Sequence, residues 1–377
     1  MDSTYKVPLT TIKDIKEHPN AHSLSLAFIY GFQVIVRKGE YQVGDEVIYI
    51  PIDSILPKNL EDFIFPPESK VKLINSRVRQ IKLRGLASQG MLISKNVLSD
   101  LYGLNPDKYG LEDDLAEAIN VTKYEPPYVG VATSPKLIRT RDKPLTNPNF
   151  HEYNGLTNIK WVPSIFTNED VIITEKIHGT NARFGRVKTV PNTFLKKVKR
   201  FFGLLPDYEF VYGSNKVELT NRPGHVGFYG NDIYGSVFHD IGARDKVKDG
   251  EIIYGEIYGD GIQKNYSYGL KNEHAFVVFD IKVEQEDGKY KWLDPEEVEA
   301  ICNERGLEYV PVLYRGLYEE AVALNLTFGP SKLNNEQMVR EGIVIKKRIG
   351  YDSMGNKTSV KWISEDYLAD KNNTDFH

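Results

Sequence analysis

Over the first quarter of the chain apolar residues recur at short intervals, in runs at 25–30, 33–36, 46–50, 71–74 and 90–93, with turn residues such as Gly31, Gly39 and Gly44-Asp45 between them. Alternation of this kind predicts strands with one buried face. The spacing of the turns predicts a five-stranded, OB-like barrel rather than βαβ units. From about 121 to 149 the pattern dissolves into a polar stretch holding Pro126-Pro127, Pro135, Pro144 and Pro148, which reads as a linker. Strands are then predicted at 171–174, 210–212, 251–254, 276–281, 342–345 and 359–362. A helix is predicted from Asp294-Pro295-Glu296-Glu297 to Gly306: an Asp N-cap, a Pro at the first helical position and a Glu three residues after the cap. Val298, Ile301 and Cys302 share one face of it. Strands and helices do not alternate strictly and no fixed repeat appears, so the fold class is α+β rather than a doubly wound parallel sheet. The expected domains are an OB-like module at 1–120, a linker at 121–147 and a second domain at 148–377.

Composition narrows the function classes. With 377 residues, 41% hydrophobic and 27% charged, the chain suits two folded domains and not a disordered polymer. A net charge of -4 excludes a protein coated in positive charge, but two basic clusters stand out. One holds Lys70, Lys72, Arg77, Arg79, Lys82 and Arg84, the other Lys196, Lys197, Lys199 and Arg200. Taken alone, each reads as a solvated face. No apolar stretch approaches the ~20 residues of a membrane span, so no membrane partner is expected. The start, Met1-Asp2-Ser3-Thr4-Tyr5-Lys6, lacks the marks of a secretory signal. Cys302 is the only cysteine, which excludes a disulfide within the chain and Cys-based zinc sites. A reducing, cytoplasmic setting is expected.

Several common motifs are absent: there is no HExxH, no GxSxG and no GxGxxG after a strand. Gly350-Tyr351-Asp352-Ser353-Met354-Gly355-Asn356-Lys357-Thr358 nearly spells a phosphate loop. Asn356 breaks the spacing, and a strand is predicted next where a helix N-terminus is needed. The segment that holds up is Thr174-Glu175-Lys176-Ile177-His178-Gly179-Thr180-Asn181-Ala182-Arg183, at the end of a strand. Lys-x-x-Gly alone is weak, since Lys82-Leu83-Arg84-Gly85 matches it too, and Lys176 by itself reads as a surface lysine. What singles out Lys176 is the train behind it: Tyr254-Gly255-Glu256-Ile257-Tyr258-Gly259, Phe276-Val277-Val278-Phe279-Asp280-Ile281, Glu341-Gly342-Ile343-Val344-Ile345-Lys346 and Val360-Lys361.

In this order the motifs resemble the covalent nucleotidyltransferases, the superfamily of ATP-dependent ligases and mRNA capping enzymes, over about 150–368. Within it they are most similar to nick-sealing RNA ligases of the branch with an N-terminal OB module. DNA ligases and capping enzymes usually carry Lys-x-Asp-Gly, whereas Lys176-Ile177-His178-Gly179-Thr180-Asn181 resembles the RNA-ligase branch. The resemblance implies an OB-like barrel followed by a nucleotidyltransferase domain of antiparallel sheets with flanking helices. It implies an ATP-dependent RNA ligase of RNA repair, a monomer that joins 3′-OH and 5′-phosphate ends in nicked duplexes or broken RNA through lysyl-AMP and RNA-adenylate. The cofactors implied are ATP and Mg²⁺ or Mn²⁺. Such chemistry needs a lysine whose neutral amine is favoured, since the free pKa is near ~10.4, and carboxylates that suit a hard cation.

The resemblance also implies residue roles. Lys176 would be the nucleophile, Glu256 and Glu341 the metal carboxylates, with Glu256 alternatively on the ribose, and Phe279 and Val344 the two adenine walls. Lys346 and Lys361 would neutralise phosphate, Asn181 would orient phosphate or a metal water, Gly179 would turn the backbone, and Glu175 would set backbone groups along the adenine edge. Ser214-Asn215-Lys216 resembles the segment that contacts ribose or the RNA end, with Lys216 in the binding set. His178 replaces the usual Asp and is either a catalytic or a hydrogen-bonding structural residue. The last motif usually reads Lys-x-Lys; here Ser359 fills the first slot, so either Lys357 substitutes or Lys361 works alone. Glu17-His18-Pro19-Asn20-Ala21-His22 and Arg84-Gly85-Leu86-Ala87-Ser88-Gln89-Gly90-Met91 resemble OB modules of the tRNA-binding kind, with His18 and Ser88 as turn-forming residues. The Lys70 to Arg84 cluster is the expected RNA contact and Lys196 to Arg200 a second one. The alternatives are a DNA ligase and a non-catalytic OB-fold RNA-binding protein; intact Lys176, Glu256 and Glu341 weigh against the latter.

Overall fold

The structure, a computed structural model, describes residues 5–66, 68–69, 72–124, 146–191, 194–220, 232–334, 336–351 and 357–369. They divide into two compact units. One gathers the residues up to 124 with 157–165 and 365–369, and the other holds 146–156 and 166–364. From the sequence, 157–165 and 365–369 belonged with the second domain; by contacts they cluster with the first unit. The proline-containing stretch 125–145 and Lys70 of the basic cluster lie outside the described residues.

The first unit is a small β module. Its strands are β1 (Leu9–Thr11), β2 (Asp14–Glu17), β3 (Leu24–Ile29), β4 (Phe32–Arg37), β5 (Glu46–Ile50), β6 (Ser54–Ile55), β7 (Ile81–Leu83), β8 (Leu86–Ser88), β9 (Met91–Ser94), β10 (Thr122–Lys123) and β11 (Thr157–Asn158), with short helices α1 (Lys58–Ile64) and α2 (Val97–Asp100). The sheets run β1-β5-β9 and β2-β3-β4, and β6 with β10 and β7 with β8 pair as ribbons. Alternation works as expected in β4, where Phe32, Val34 and Val36 are buried and Gln33 and Ile35 only half so. Trp161 explains why 157–165 belongs here: its ring packs on Tyr30, Phe32 and Tyr49 at centroid distances of 4.9, 5.0 and 5.5 Å. Half-buried there, the indole covers apolar surface of the module.

Two expectations change here. Residues 72–74 form no strand: Asn75 and Ser76 both take left-handed φ, of 54° and 55°, and Ile74, 67% exposed, bridges only to Arg77. The basic cluster is also smaller than its sequence suggests. Lys72, Arg79, Lys82 and Arg84 are exposed, but Arg77 is buried, donating to Asp53 Oδ1 at 2.5 and 3.0 Å while stacking over the Tyr124 ring at 4.1 Å. His18 holds a turn as expected, its Nδ1 accepting from the Asn20 N–H at 3.1 Å, whereas Ser88 ends β8 and its Oγ accepts from the Ile35 N–H of β4 at 3.0 Å.

The second unit is built on two antiparallel sheets. Its elements are β12 (Asp170–Lys176), β13 (Thr180–Lys188), α3 (Phe194–Phe201), β14 (Tyr208–Ser214), α4 (Ile233–Asp240), β15 (Glu251–Gly259), β16 (His274–Glu284), β17 (Tyr290–Trp292), α5 (Pro295–Arg305), β18 (Glu308–Tyr309), β19 (Val312–Leu317), α6 (Glu320–Leu326), β20 (Gly342–Tyr351) and β21 (Lys357–Ile363). In one sheet β21, β20, β12 and β19 lie side by side in that order. In the other the order is β14-β13-β15-β16-β17, and β18 runs parallel to β16. The main core lies on the second sheet, where Phe184, Ile253, Phe276 and Val278 meet Val237 and Phe238 of α4 and Val298 and Cys302 of α5. Helix α5 keeps its predicted signals: the Asp294 N–H donates to Glu297 Oε2 at 2.7 Å, and Gly306 ends the helix at φ 61°. β13, β19, α3, α4 and α6 were not predicted. In β13 the period is hidden by Arg183, which is fully buried because its guanidinium donates to Phe150 O at 2.7 Å and Ser214 O at 3.1 Å and stacks on the Phe150 ring.

Candidate active site

β12 ends at Lys176 in one sheet and β13 begins at Thr180 in the other, so Ile177-His178-Gly179 carry the chain between the two. The crossing is tight. A Cβ on Gly179 would lie 2.2 Å from Ile257 O and 2.8 Å from Glu256 Cγ, so only glycine fits. Two groups pin the turn: Gln263 Nε2 donates to Gly179 O at 2.7 Å, and the Tyr268 hydroxyl accepts from the His178 N–H at 2.8 Å.

Between the sheets lies a cavity of about 250 Å³. Register decides what lines it, because directly opposed residues of a sheet point to one face. Thr174 opposes Val344, Val344 opposes Lys361, and Ile172 opposes Lys346, which puts Thr174, Lys176, Val344, Lys346 and Lys361 in one wall. In the other wall Asn181 opposes Glu256. Phe279 joins them through a bulge: Tyr254 pairs with Asp280 and Gly255 with Val278, leaving Phe279 as the extra residue, aimed at the cavity. Glu175 and Ile177 complete this part of the lining.

Charge is concentrated here. Lys176 Nζ lies 2.6 Å from Glu341 Oε1, with the lysine side chain 25% exposed and the glutamate only 2%. Burial pushes the Glu341 carboxyl above its ordinary pKa, against the pull of the Lys176 and Lys361 cations. His178 is buried, its Nδ1 3.7 Å from Glu341 Oε2 and its ring edge-on to Tyr266 at 4.8 Å. Lys346, 1% exposed, donates to Asp280 Oδ2 at 2.7 Å and to Phe279 O at 2.6 Å; the Tyr153 hydroxyl reaches the same Asp280 oxygen at 2.7 Å. Glu175 Oε2 accepts from the Lys332 N–H at 2.7 Å, and burial raises its pKa.

The structure brings Lys176, Glu175, Asn181, Glu256, Phe279, Val344, Lys346 and Lys361 into the lining of one cavity, with His178, Gly179 and Glu341 directly behind. Lys216 is not among them: it is exposed, and its neighbour Asn215 lines the cavity instead. Asn215 accepts from the Tyr153 N–H at 2.7 Å and donates to Tyr153 O at 3.1 Å, which seats the Tyr153 ring edge-on to Phe279 at 4.8 Å. Of the two lysines left open by the Lys-x-Lys departure, Lys361 lines the cavity, whereas Lys357 donates to Leu293 O and burial pushes its amine down to about 8. Sequence reasoning missed Tyr153, Gln263, Tyr268 and Asp280. Only Asp280 carried a signal, as a lone charge inside an apolar run.

The donors suit a hard divalent cation. Asn181 Oδ1 is buried with no hydrogen-bond partner, and it opposes Glu256 across the strands. Among the described residues no three His, Cys, Asp or Glu cluster as a metal site.

Comparison with known proteins agrees with this picture. A model of the RNA ligase family matches residues 169–363, and a model of an OB-fold domain matches 7–95. Among solved structures, a mutant of Naegleria gruberi RNA ligase with ATP and Mn is similar at a TM-score of 0.72 and 21% identity, over 97% of this chain and 98% of that chain. A second mutant, with AMP and Mn, gives 0.71 and 22% over the same shares, and the enzyme with PPi gives 0.70 and 22%. At these identities the likeness establishes the shared fold.

Proposed function

We propose that this chain, which belongs to the RNA ligase family, joins RNA 3′-OH and 5′-phosphate ends at the expense of ATP, through lysyl-AMP and then RNA-adenylate. The observation that carries the proposal is the Lys176 amine, 2.6 Å from a buried carboxylate and in the wall of a cavity flanked by Phe279 and Val344. Its proton has a nearby acceptor, since Glu341 already holds a raised pKa and lies within hydrogen-bond reach. The neutral amine then attacks the α-phosphorus, a P–N bond forms, the bond to pyrophosphate breaks, and AMP stays on Lys176.

Phe279 and Val344 hold the adenine between them, and Lys361 faces the phosphate oxygens that gain charge. In the second step the RNA 5′-phosphate displaces Lys176 from AMP; in the third a 3′-OH displaces AMP and closes the strand. Glu256, Glu341 and the Asn181 amide oxygen are the residues that would hold Mg²⁺ or Mn²⁺, which when bound neutralises phosphate charge. That Naegleria gruberi RNA ligase has been solved with ATP and Mn supports the same cofactors here. Exposed Lys72, Arg79, Lys82 and Arg84 of the OB-fold unit suit an RNA backbone, which they would hold without reading its sequence.

The decisive experiment incubates the protein with α-labelled ATP and a divalent cation. Label attaches covalently to the wild type and not to Lys176→Ala; an unlabelled wild type overturns the proposal. Nicked duplexes with RNA or DNA on the 3′-OH side then separate RNA from DNA ligation.

A further inference from the structure

Helix α3 presents its apolar side to water. The segment reads Phe194-Leu195-Lys196-Lys197-Val198-Lys199-Arg200-Phe201-Phe202-Gly203-Leu204. At 100° per residue Phe194, Leu195, Val198, Phe201 and Phe202 share one arc, Lys196 and Arg200 lie opposite, and Lys197 and Lys199 stand at the two edges. A surface helix of a globular protein turns such an arc to the core. Here no residue of α3 is buried, and Phe194 is 83% exposed, Leu195 64%, Phe201 84% and Phe202 66%. On the opposite side Lys196 Nζ meets both Glu209 oxygens of β14 at 2.6 and 2.8 Å, while Arg200 is exposed. Gly203, at φ 66°, closes the helix with Leu204, 71% exposed, beyond it.

Each of these large apolar side chains is stabilised when water is removed from it, so the bare arc is built to be covered. The charges identify the cover. An RNA backbone satisfies the lysines and leaves four apolar side chains wet. A second copy docked on the same face by a twofold axis sets lysines against lysines. A bilayer with acidic headgroups takes both parts at once, apolar arc inward and flanking lysines at the phosphates.

We propose that α3 docks this protein in the plane of an anionic membrane surface, with Phe194, Leu195, Phe201 and Phe202 at the headgroup boundary and Lys197 and Lys199 on acidic headgroups. No helix among the described residues is long and apolar enough to cross a membrane, and in-plane docking needs none. The proposal departs from the expectation that membranes are no partner, and it does not rest on the ligase reading.

The test is flotation of the whole protein with vesicles of phosphatidylcholine alone and with vesicles in which a third of the lipid is phosphatidylserine. Wild type floats with the acidic vesicles, about tenfold more than with neutral ones, and high salt weakens the association. Phe194→Ser with Phe201→Ser lowers that binding at least about tenfold while the melting temperature and self-adenylation stay at wild-type values. Lys197→Glu with Lys199→Glu lowers it as well. Wild type that stays in solution with both vesicles overturns the proposal, as does a double Phe variant that floats like wild type. It is equally overturned, in favour of RNA or a second copy, if the Phe variant loses only RNA affinity or only a dimer seen by sedimentation.

Discussion

Each unit sets a cation against a buried carboxylate, and the two pairs differ in exposure and in the kind of cation. In the OB-fold unit Arg77 and Asp53 meet at 2.5 Å, each side chain 7% exposed, with the Tyr124 ring over the guanidinium. In the catalytic unit Lys176 and Glu341 meet at 2.6 Å, but the carboxylate is 2% exposed and the amine 25%, in a cavity wall. Arginine keeps its proton at any pH a protein survives; lysine can give its proton up. A pair closed on both sides serves the fold, whereas a pair with one side open to a cavity, built on a group that can deprotonate, is equipped for chemistry.

The largest test of that contrast replaces Lys176. Both Lys176→Ala and Lys176→Arg abolish covalent labelling by α-labelled ATP, although arginine keeps the charge beside Glu341. Removing Lys176 also removes a cation that holds the Glu341 pKa down, so the buried carboxyl moves further toward its neutral form and can take up a proton. Next in size is Arg77→Met, which strands the buried Asp53 carboxylate and costs about 3–5 kcal/mol in denaturant melts. Labelling per folded molecule is retained, and a variant that melts normally but loses labelling would break the comparison.

Lys346 sharpens it from between, since it is 1% exposed yet belongs to the cavity wall, held by Asp280. Asp280→Asn therefore lowers both quantities, stability by about 2–3 kcal/mol and self-adenylation by about tenfold, read by melts and labelling rates. The smallest effect comes from His151, which belongs to neither pair. Burial, with the Lys282 and Arg183 cations nearby, pushes its imidazole down to about 4 from an ordinary 6.5. The folded state thus binds this proton more weakly than the unfolded chain does. Stability is full above pH 6.5 and falls as pH drops through 4, by about 1–2 kcal/mol once partial exposure is allowed for. His151→Gln flattens that part of the melting-temperature profile.

How far the molecule could be read in advance depends on the range of the force involved. Helix α5 was legible to its ends because its signals, the Asp294 cap, Pro295, Glu297 and Gly306, act within one or two turns. Strands β4, β5, β15, β16, β20 and β21 were legible as apolar runs, though β15 and β20 run further than predicted. β13 was not, since the burial of Arg183 depends on carbonyls supplied by Phe150 and Ser214, distant in the chain. The run at 71–74 misled because its strand pattern is stopped by two left-handed residues, Asn75 and Ser76, that no periodicity shows.

By itself, then, the sequence determined the kind of each strongly periodic element and the order of the motifs from Lys176 to Lys361, since both are carried by neighbouring residues along one chain. Only the tertiary structure decided which charges meet. Register across β12, β20 and β21 put Lys361 in the cavity wall and left Lys357 bound to a carbonyl; burial withdrew Arg77 from the basic rim; and α3 was left with its apolar side outward. The physical reason is that a side chain's solvent, and with it its charge and reactivity, is set by whichever strands happen to lie beside it in space.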